Sequence, residues 1–119
     1  RKEYVFKKEF KIQILNLWIN SNNKYSYNDS HNHGDSDLSG IYYLDVPENS
    51  GNIYFQDFQK QLRKLNSFFI HRDFISHRFI KNYKNQFLLF PSNLIHGVDI
   101  NMSDKSRVSV AFNIRLQNK

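Results

Sequence analysis

Residues 107–116 (RVSVAFNIRL) constrain the fold more than any other stretch of the chain. Their side chains alternate without a break. Val108, Val110, Phe112 and Ile114 fall on one side, and Arg107, Ser109, Ala111 and Asn113 on the other. A period of two marks a β-strand, in which successive side chains point to opposite faces. The apolar set reads as a core face. The other set is small and polar, which suits the lining of a cavity better than open solvent. Arg107 at its start offers a planar fork for a carboxylate, and Ser109 a hydroxyl beside it.

The rest of the chain reads mainly as short strands. The first twenty residues fit this pattern, most clearly 11–20 (KIQILNLWIN), with Asn16, Trp18 and Asn20 opposite Leu15, Leu17 and Ile19. Residues 38–46 (LSGIYYLDV), 52–56 and 86–90 (QFLLF) are further strands, rich in β-branched and aromatic residues. Ser39, Ile41 and Tyr43 share one face, so the Tyr43 hydroxyl can enter a cavity. Polar residues 21–30 and the run 47–51 (PENSG) read as turns. From Asp57, a plausible N-cap, Phe58, Leu62 and Leu65 fall at i, i+4 and i+7, which predicts a short helix. Residues 67–85 are basic and aromatic and fit neither period. Short strands with one helical insertion indicate a β-sandwich or barrel, and 119 residues fit a single domain.

Composition narrows the chemistry. The chain has no cysteine, so a metal would be held by His, Asp, Glu or backbone oxygen. Eleven Phe and seven Tyr make the core largely aromatic. The formal net charge of +6 favours anionic ligands. No apolar run approaches the roughly 18 residues of a membrane-spanning helix. Residue 1 is Arg rather than Met, so a missing N-terminal segment stays open and a cytoplasmic location is only a default.

Three histidines carry the chemistry. In His31-Asn32-His33 the imidazoles are at i and i+2, so an extended backbone aims both at one point. Taken alone, the pair also reads as a solvated turn, given its Asn, Asp, Ser and Gly neighbours. His96 follows the strand 86–90 and a proline turn, in FPSNLIHGV. A close pair plus one distant histidine matches a three-ligand face that leaves coordination positions open, as in non-haem iron oxygenases.

In order, WIN (18–20), HNHGDSDLSGIYYL (31–44), ENSGNIYF (48–55), FPSNLIHGV (90–98) and RVSVAFNI (107–114) resemble the double-stranded β-helix oxygenases. The closest branch is the 2-oxoglutarate/Fe(II)-dependent oxygenases of marine bacteria and phages, related to prolyl hydroxylases. The resemblance implies a double-stranded β-helix (jelly-roll, cupin-like) domain over 1–119, with 57–84 as a basic insertion or lid. It implies Fe(II) bound by His31, His33 and His96, and 2-oxoglutarate contacted by Arg107, Ser109 and Asn20; Tyr43 and Asn113, on cavity-suited strand faces, are candidates to join them. Arg107 stands eleven residues after His96, where the family places its carboxylate-binding base. The family usually has a carboxylate as second ligand. His33-Gly34-Asp35 also fits that His-x-Asp pattern, so Asp35 is the alternative to His33.

The implied activity is a dioxygenase that hydroxylates an unidentified small molecule or peptidyl side chain, releasing succinate and CO2. Two other readings stand beside it. One is a catalytically silent β-helix domain that binds a ligand. The other is a nucleic-acid-binding module built on Lys60, Arg63, Lys64, Arg72, Arg78, Lys81 and Lys84 with interleaved aromatics. A solvated outer face of the insertion explains those charges more simply.

Overall fold

The protein is seen here as a computed structural model that describes residues 9–56 and 77–118. Its eight strands are β1 (Phe10–Asn22), β2 (Asn28–His31), β3 (Leu38–Asp45), β4 (Ile53–Gln56), β5 (His77–Ile80), β6 (Phe87–Pro91), β7 (His96–Val98) and β8 (Arg107–Asn118). They form two four-stranded antiparallel sheets, in the orders β1-β8-β3-β6 and β2-β7-β4-β5. This is the jelly-roll architecture of a double-stranded β-helix. Among the described residues no helix is long and apolar enough to cross a membrane. The helix expected from Asp57 falls outside the described residues.

Among the described residues, the core lies between the sheets and is small. Phe90 from one sheet meets Ile53 and Val98 from the other, with Ile41, Leu88, Phe55 and Ile80 packed around them. Phe55 meets Phe90 edge-on at 4.9 Å between ring centroids, a favoured aromatic geometry.

Strand register places the side chains that face this interior. Asn16, Trp18 and Asn20 of β1 pair with Asn113, Ala111 and Ser109 of β8. The same three residues of β8 pair on their other side with Ser39, Ile41 and Tyr43 of β3. Directly paired residues share a face. A bulge between Ile14 and Asn16 shifts the parity of β1, so Ile12 and Ile14 stay on the outer side with Leu17 and Ile19.

Two expectations need correction. The alternation of β8 is present, but its small and polar face is the buried one. Arg107, Ser109, Ala111 and Asn113 are buried, whereas Val108, Val110, Phe112 and Ile114 are half-buried on the outside. The apolar set is therefore not the core face. The turn expected over 21–30 contains β2 at its end, a polar edge strand with no apolar alternation to reveal it. The stretch 67–85 that fitted neither period supplies β5, which completes the second sheet beside β4.

Candidate metal centre

The hydrogen-bonding pattern of β2 and β7 pairs His31 directly with His96, so the two imidazoles leave the sheet on the same side. His33 lies two residues beyond His31, in the loop to β3. Its backbone N–H donates to the Ser92 carbonyl at 2.8 Å. Asp37 and Ser92 hold the loop further, Asp37 N–H donating to Ile114 O and Ser92 N–H to Asp37 O. The ring centroids lie 4.4 Å (His31–His96), 5.0 Å (His31–His33) and 5.4 Å (His33–His96) apart. One ligand atom from each falls within 4.8 Å of the others. Asp35, exposed in the same loop, is outside this cluster.

The imidazoles are prepared to ligate. His31 Nδ1 is 2.8 Å from Asp29 O, and His96 Nδ1 is 2.9 Å from Leu94 O. A carbonyl only accepts, so each Nδ1 carries the proton and each Nε2 keeps its lone pair. His96 is 4% exposed and rests on Phe90 and Phe55. Burial pushes its pKa down to about 4, against the opposing pull of the Leu94 carbonyl. Burial also lowers His33, with His31 adding to the effect and Asp35 opposing it. Neutral imidazole is the form a metal binds. A cluster of nitrogen donors with free Nε2 atoms fits a borderline divalent ion such as Fe(II).

The histidines open onto a cavity of about 500 Å³ between the two sheets, a size that suits a small ligand. Asn20 and Asn113 are in its wall, as are Trp18, Tyr27 and Asp29. A hydrogen-bonded relay runs through the wall residues Ser39 and Asn113. Ser36 Oγ donates to Ser92 Oγ at 2.7 Å, Ser39 Oγ to Asn113 Oδ1 at 2.7 Å, and Asn113 Nδ2 to Asn16 Oδ1 at 2.9 Å. Because the Ser39 proton is spent on Asn113, the 2.9 Å contact between Ser92 and Ser39 has Ser92 as donor. The relay thus runs one way from Ser36 to Asn16, fixes the Asn113 amide and ties it to the residue that holds His33.

Arg107, Ser109 and Tyr43 are not in the cavity wall. They are buried, two to four residues further along the same inner strand faces. Arg107 is 2% exposed and donates from Nη1 to the carbonyls of Ser50 at 2.6 Å and Gly51 at 3.0 Å. Gly51 is required there. Its φ is +90°, and a Cβ would strike the Asp99 carbonyl. Both hydrogen bonds of Arg107 among the described residues use Nη1, and no described carboxylate pairs with it. Burial lowers its pKa, with Tyr43 opposing, but a guanidinium stays charged. Burial pushes the Tyr43 hydroxyl up to about 12, so it remains a donor. Among the described residues, the adjacent buried Ser50 Oγ has no hydrogen-bond partner. A buried cation with no counter-ion among the described residues, beside a hydroxyl with no described partner, fits an anionic ligand such as the distal carboxylate of 2-oxoglutarate.

Sequence reasoning missed part of the wall. Trp18 was already on the face of Asn16 and Asn20 by parity. Asp29 was hidden because β2 is polar throughout, and Tyr27 because it lies in the loop before that strand. Of the proposed nucleic-acid residues, Lys60, Arg63, Lys64 and Arg72 fall outside the described residues. Arg78, Lys81 and Lys84 are exposed, away from the cavity wall.

Two solved structures resemble this fold. One is an oxidoreductase of the 2OG-Fe(II) oxygenase family from Burkholderia pseudomallei, with 14% identity and a TM-score of 0.68 over 92% of this chain and 47% of that one. The other is the non-heme monooxygenase ThoJ in a nickel complex, with 11% identity and a TM-score of 0.55 over 90% and 46%. The chain spans under half the length of either. At these identities the likeness shows the fold alone. A comparison with curated proteins gives no match. The family model described as "Putative 2OG-Fe(II) oxygenase" matches residues 16–113, a span that includes the three histidines and Arg107. On that match, the chain belongs to the 2OG-Fe(II) oxygenase family.

Proposed function

We propose that the chain forms the catalytic site of a 2-oxoglutarate-dependent, Fe(II) dioxygenase that hydroxylates a small molecule or peptidyl side chain. The observation that carries this reading is the convergence of His31, His33 and His96 on one point of a cavity. In the overall reaction, substrate C–H, O2 and 2-oxoglutarate become C–OH, succinate and CO2. Bound iron(II) with its cosubstrate supplies the activation of oxygen.

The protein's own residues bind, orient and exclude water. His31, His33 and His96 hold the metal through neutral nitrogens. The carbonyls of Asp29 and Leu94 orient two of those rings. Arg107 takes the distal carboxylate of 2-oxoglutarate through the guanidinium edge turned away from Ser50 and Gly51, with Ser109 and Tyr43 as neighbouring donors. Asn20 and Asn113 line the same cavity as the three histidines, as polar groups for the bound cosubstrate. Phe55 and Phe90 keep water from the back of His96. Kinship with the marine bacterial and phage group, and with prolyl hydroxylases, belongs to the same proposal.

The test is oxygen-dependent succinate formation from 2-oxoglutarate with added iron(II), in wild type and in His96→Ala. Wild type should form succinate even without a primary substrate, and the variant should not. A folded wild type that binds iron yet forms none would leave a ligand-binding domain as the better description.

A further inference from the structure

His31 is carried by a strand with little to hold it in place. β2 has four residues, all polar, three of them exposed, and it is the edge of its sheet. Its pairing with β7 shifts register between Asn28 and His31. Backbone pairing and burial therefore do little to fix His31, whose Nε2 must converge with His33 and His96.

A side chain from two strands away reaches β2 from behind. In the order β2-β7-β4, Tyr54 of β4 pairs with Gly97 of β7, without a register shift. Ile53 and Phe55, on either side of Tyr54, pair with Val98 and His96 and pack in the interior. Tyr54 and Gly97 therefore share the outer face. The end of the Tyr54 ring lies on Gly97, where a Cβ would strike both its hydroxyl and its ring. That Cβ would also come within 2.9 Å of the Asn28 carbonyl, so the backbone of β2 closes on the same glycine. Beyond Gly97 the Tyr54 hydroxyl meets Ser30 Oγ of β2 at 3.3 Å. Among the described residues this is the one side-chain hydrogen bond between β2 and another strand. On its other side the ring meets Phe79 of β5, at 5.4 Å between centroids. The groups that Tyr54 touches are chain neighbours of two ligands, since Ser30 precedes His31 and Gly97 follows His96.

We propose that Tyr54 is a positioning residue of the metal centre, whose ring, seated on Gly97, holds β2 against β7 and so brings His31 to the metal. This assignment deepens the oxygenase reading and rests on its three-histidine centre. The ring carries most of the effect, because a hydroxyl contact of 3.3 Å is long for an O–H···O bond. Gly97 serves the same end, since only a residue without a side chain lets Tyr54 cross β7.

The test is titration of the full chain with cobalt(II), whose visible ligand-field bands report the number and geometry of bound nitrogens. Tyr54→Leu keeps an apolar side chain on the outer face but is too short to cross Gly97. Its cobalt(II) affinity should fall about tenfold or more, the scale for a group that orients a ligand through another. Its bands should shift towards those of His31→Ala, and Gly97→Ala, which unseats the ring, should reproduce the loss. Tyr54→Phe should stay within about threefold of wild type, the scale of one weak neutral hydrogen bond. The decisive step is a pair of double variants. In a His31→Ala background Tyr54→Leu should add less than about twofold, because the ligand it positions is gone, whereas in His33→Ala its own loss should persist. Equal losses in the two backgrounds would mean a general loosening of the sheet and overturn the assignment. Wild-type affinity and bands in a folded Tyr54→Leu overturn it as well. A wild type that binds no cobalt(II) overturns the three-histidine centre itself, and the assignment with it.

Discussion

On the inner face of the sheet β1-β8-β3-β6 stand Asn16, Trp18, Asn20, Ser39, Tyr43, Arg107, Ser109 and Asn113. On its outer face stand Ile12, Ile14, Leu17, Ile19, Phe87 and Leu89, each 49% to 68% exposed. An ordinary one-sided antiparallel sheet has the opposite arrangement, apolar inward and polar outward. Burying polar groups costs free energy unless each finds a partner. Here the relay from Ser36 to Asn16 satisfies several of them, and the carbonyls of Ser50 and Gly51 take part of Arg107. The residual demand is concentrated in the Arg107 charge and the Ser50 hydroxyl. A polar interior with such a remainder is the physical mark of a ligand site, whereas the apolar exterior contributes nothing to it.

That contrast can be tested by substitutions on each face. The largest effect is expected for Arg107→Met, which keeps much of the volume and removes the charge. Affinity for 2-oxoglutarate, measured by calorimetry on the iron(II) protein without oxygen, should fall about 100-fold, the loss of one charge-assisted contact of roughly 3 kcal/mol. Unchanged affinity would remove Arg107 from the cosubstrate site. Ser92→Ala interrupts the relay but keeps the backbone bonds to His33 and Asp37. Iron(II) affinity should fall by about tenfold, the usual scale for a group that orients a ligand through another. No change would mean that the backbone bonds alone position His33. The smallest effect is expected outside. Leu17→Asn and Ile19→Asn, at positions 59% and 68% exposed, should leave iron(II) and 2-oxoglutarate affinities within about twofold. Denaturant midpoints should show a stability change of about 0.5 kcal/mol or less for each, as for other exposed positions.

Local patterning made part of this legible in the sequence. The period of two in β8 and β1 follows from backbone geometry, so the partition into Arg107, Ser109, Ala111 and Asn113 against Val108, Val110, Phe112 and Ile114 needs no tertiary information. Which set is inside does need it. Hydrophobicity assigned the valines to the core, yet the partner sheet and the cavity draw in the arginine and asparagine. β2 was hidden for a related reason. An edge strand of Asn28, Asp29, Ser30 and His31 buries too little apolar surface to leave a pattern. His96 was easier to single out because it follows an apolar strand and precedes Gly97, and the structure sets it at the aromatic edge of the core.

The most direct test of the account is anaerobic iron(II) titration of four single variants, His31→Ala, His33→Ala, His96→Ala and Asp35→Ala, each checked for folding by circular dichroism. A three-histidine centre predicts that each histidine variant loses at least about 100-fold in affinity, the equivalent of about 2.7 kcal/mol, while Asp35→Ala binds as wild type does. If Asp35→Ala loses iron and His31→Ala keeps it, the ligand pair is His33 and Asp35, and the centre proposed here is wrong.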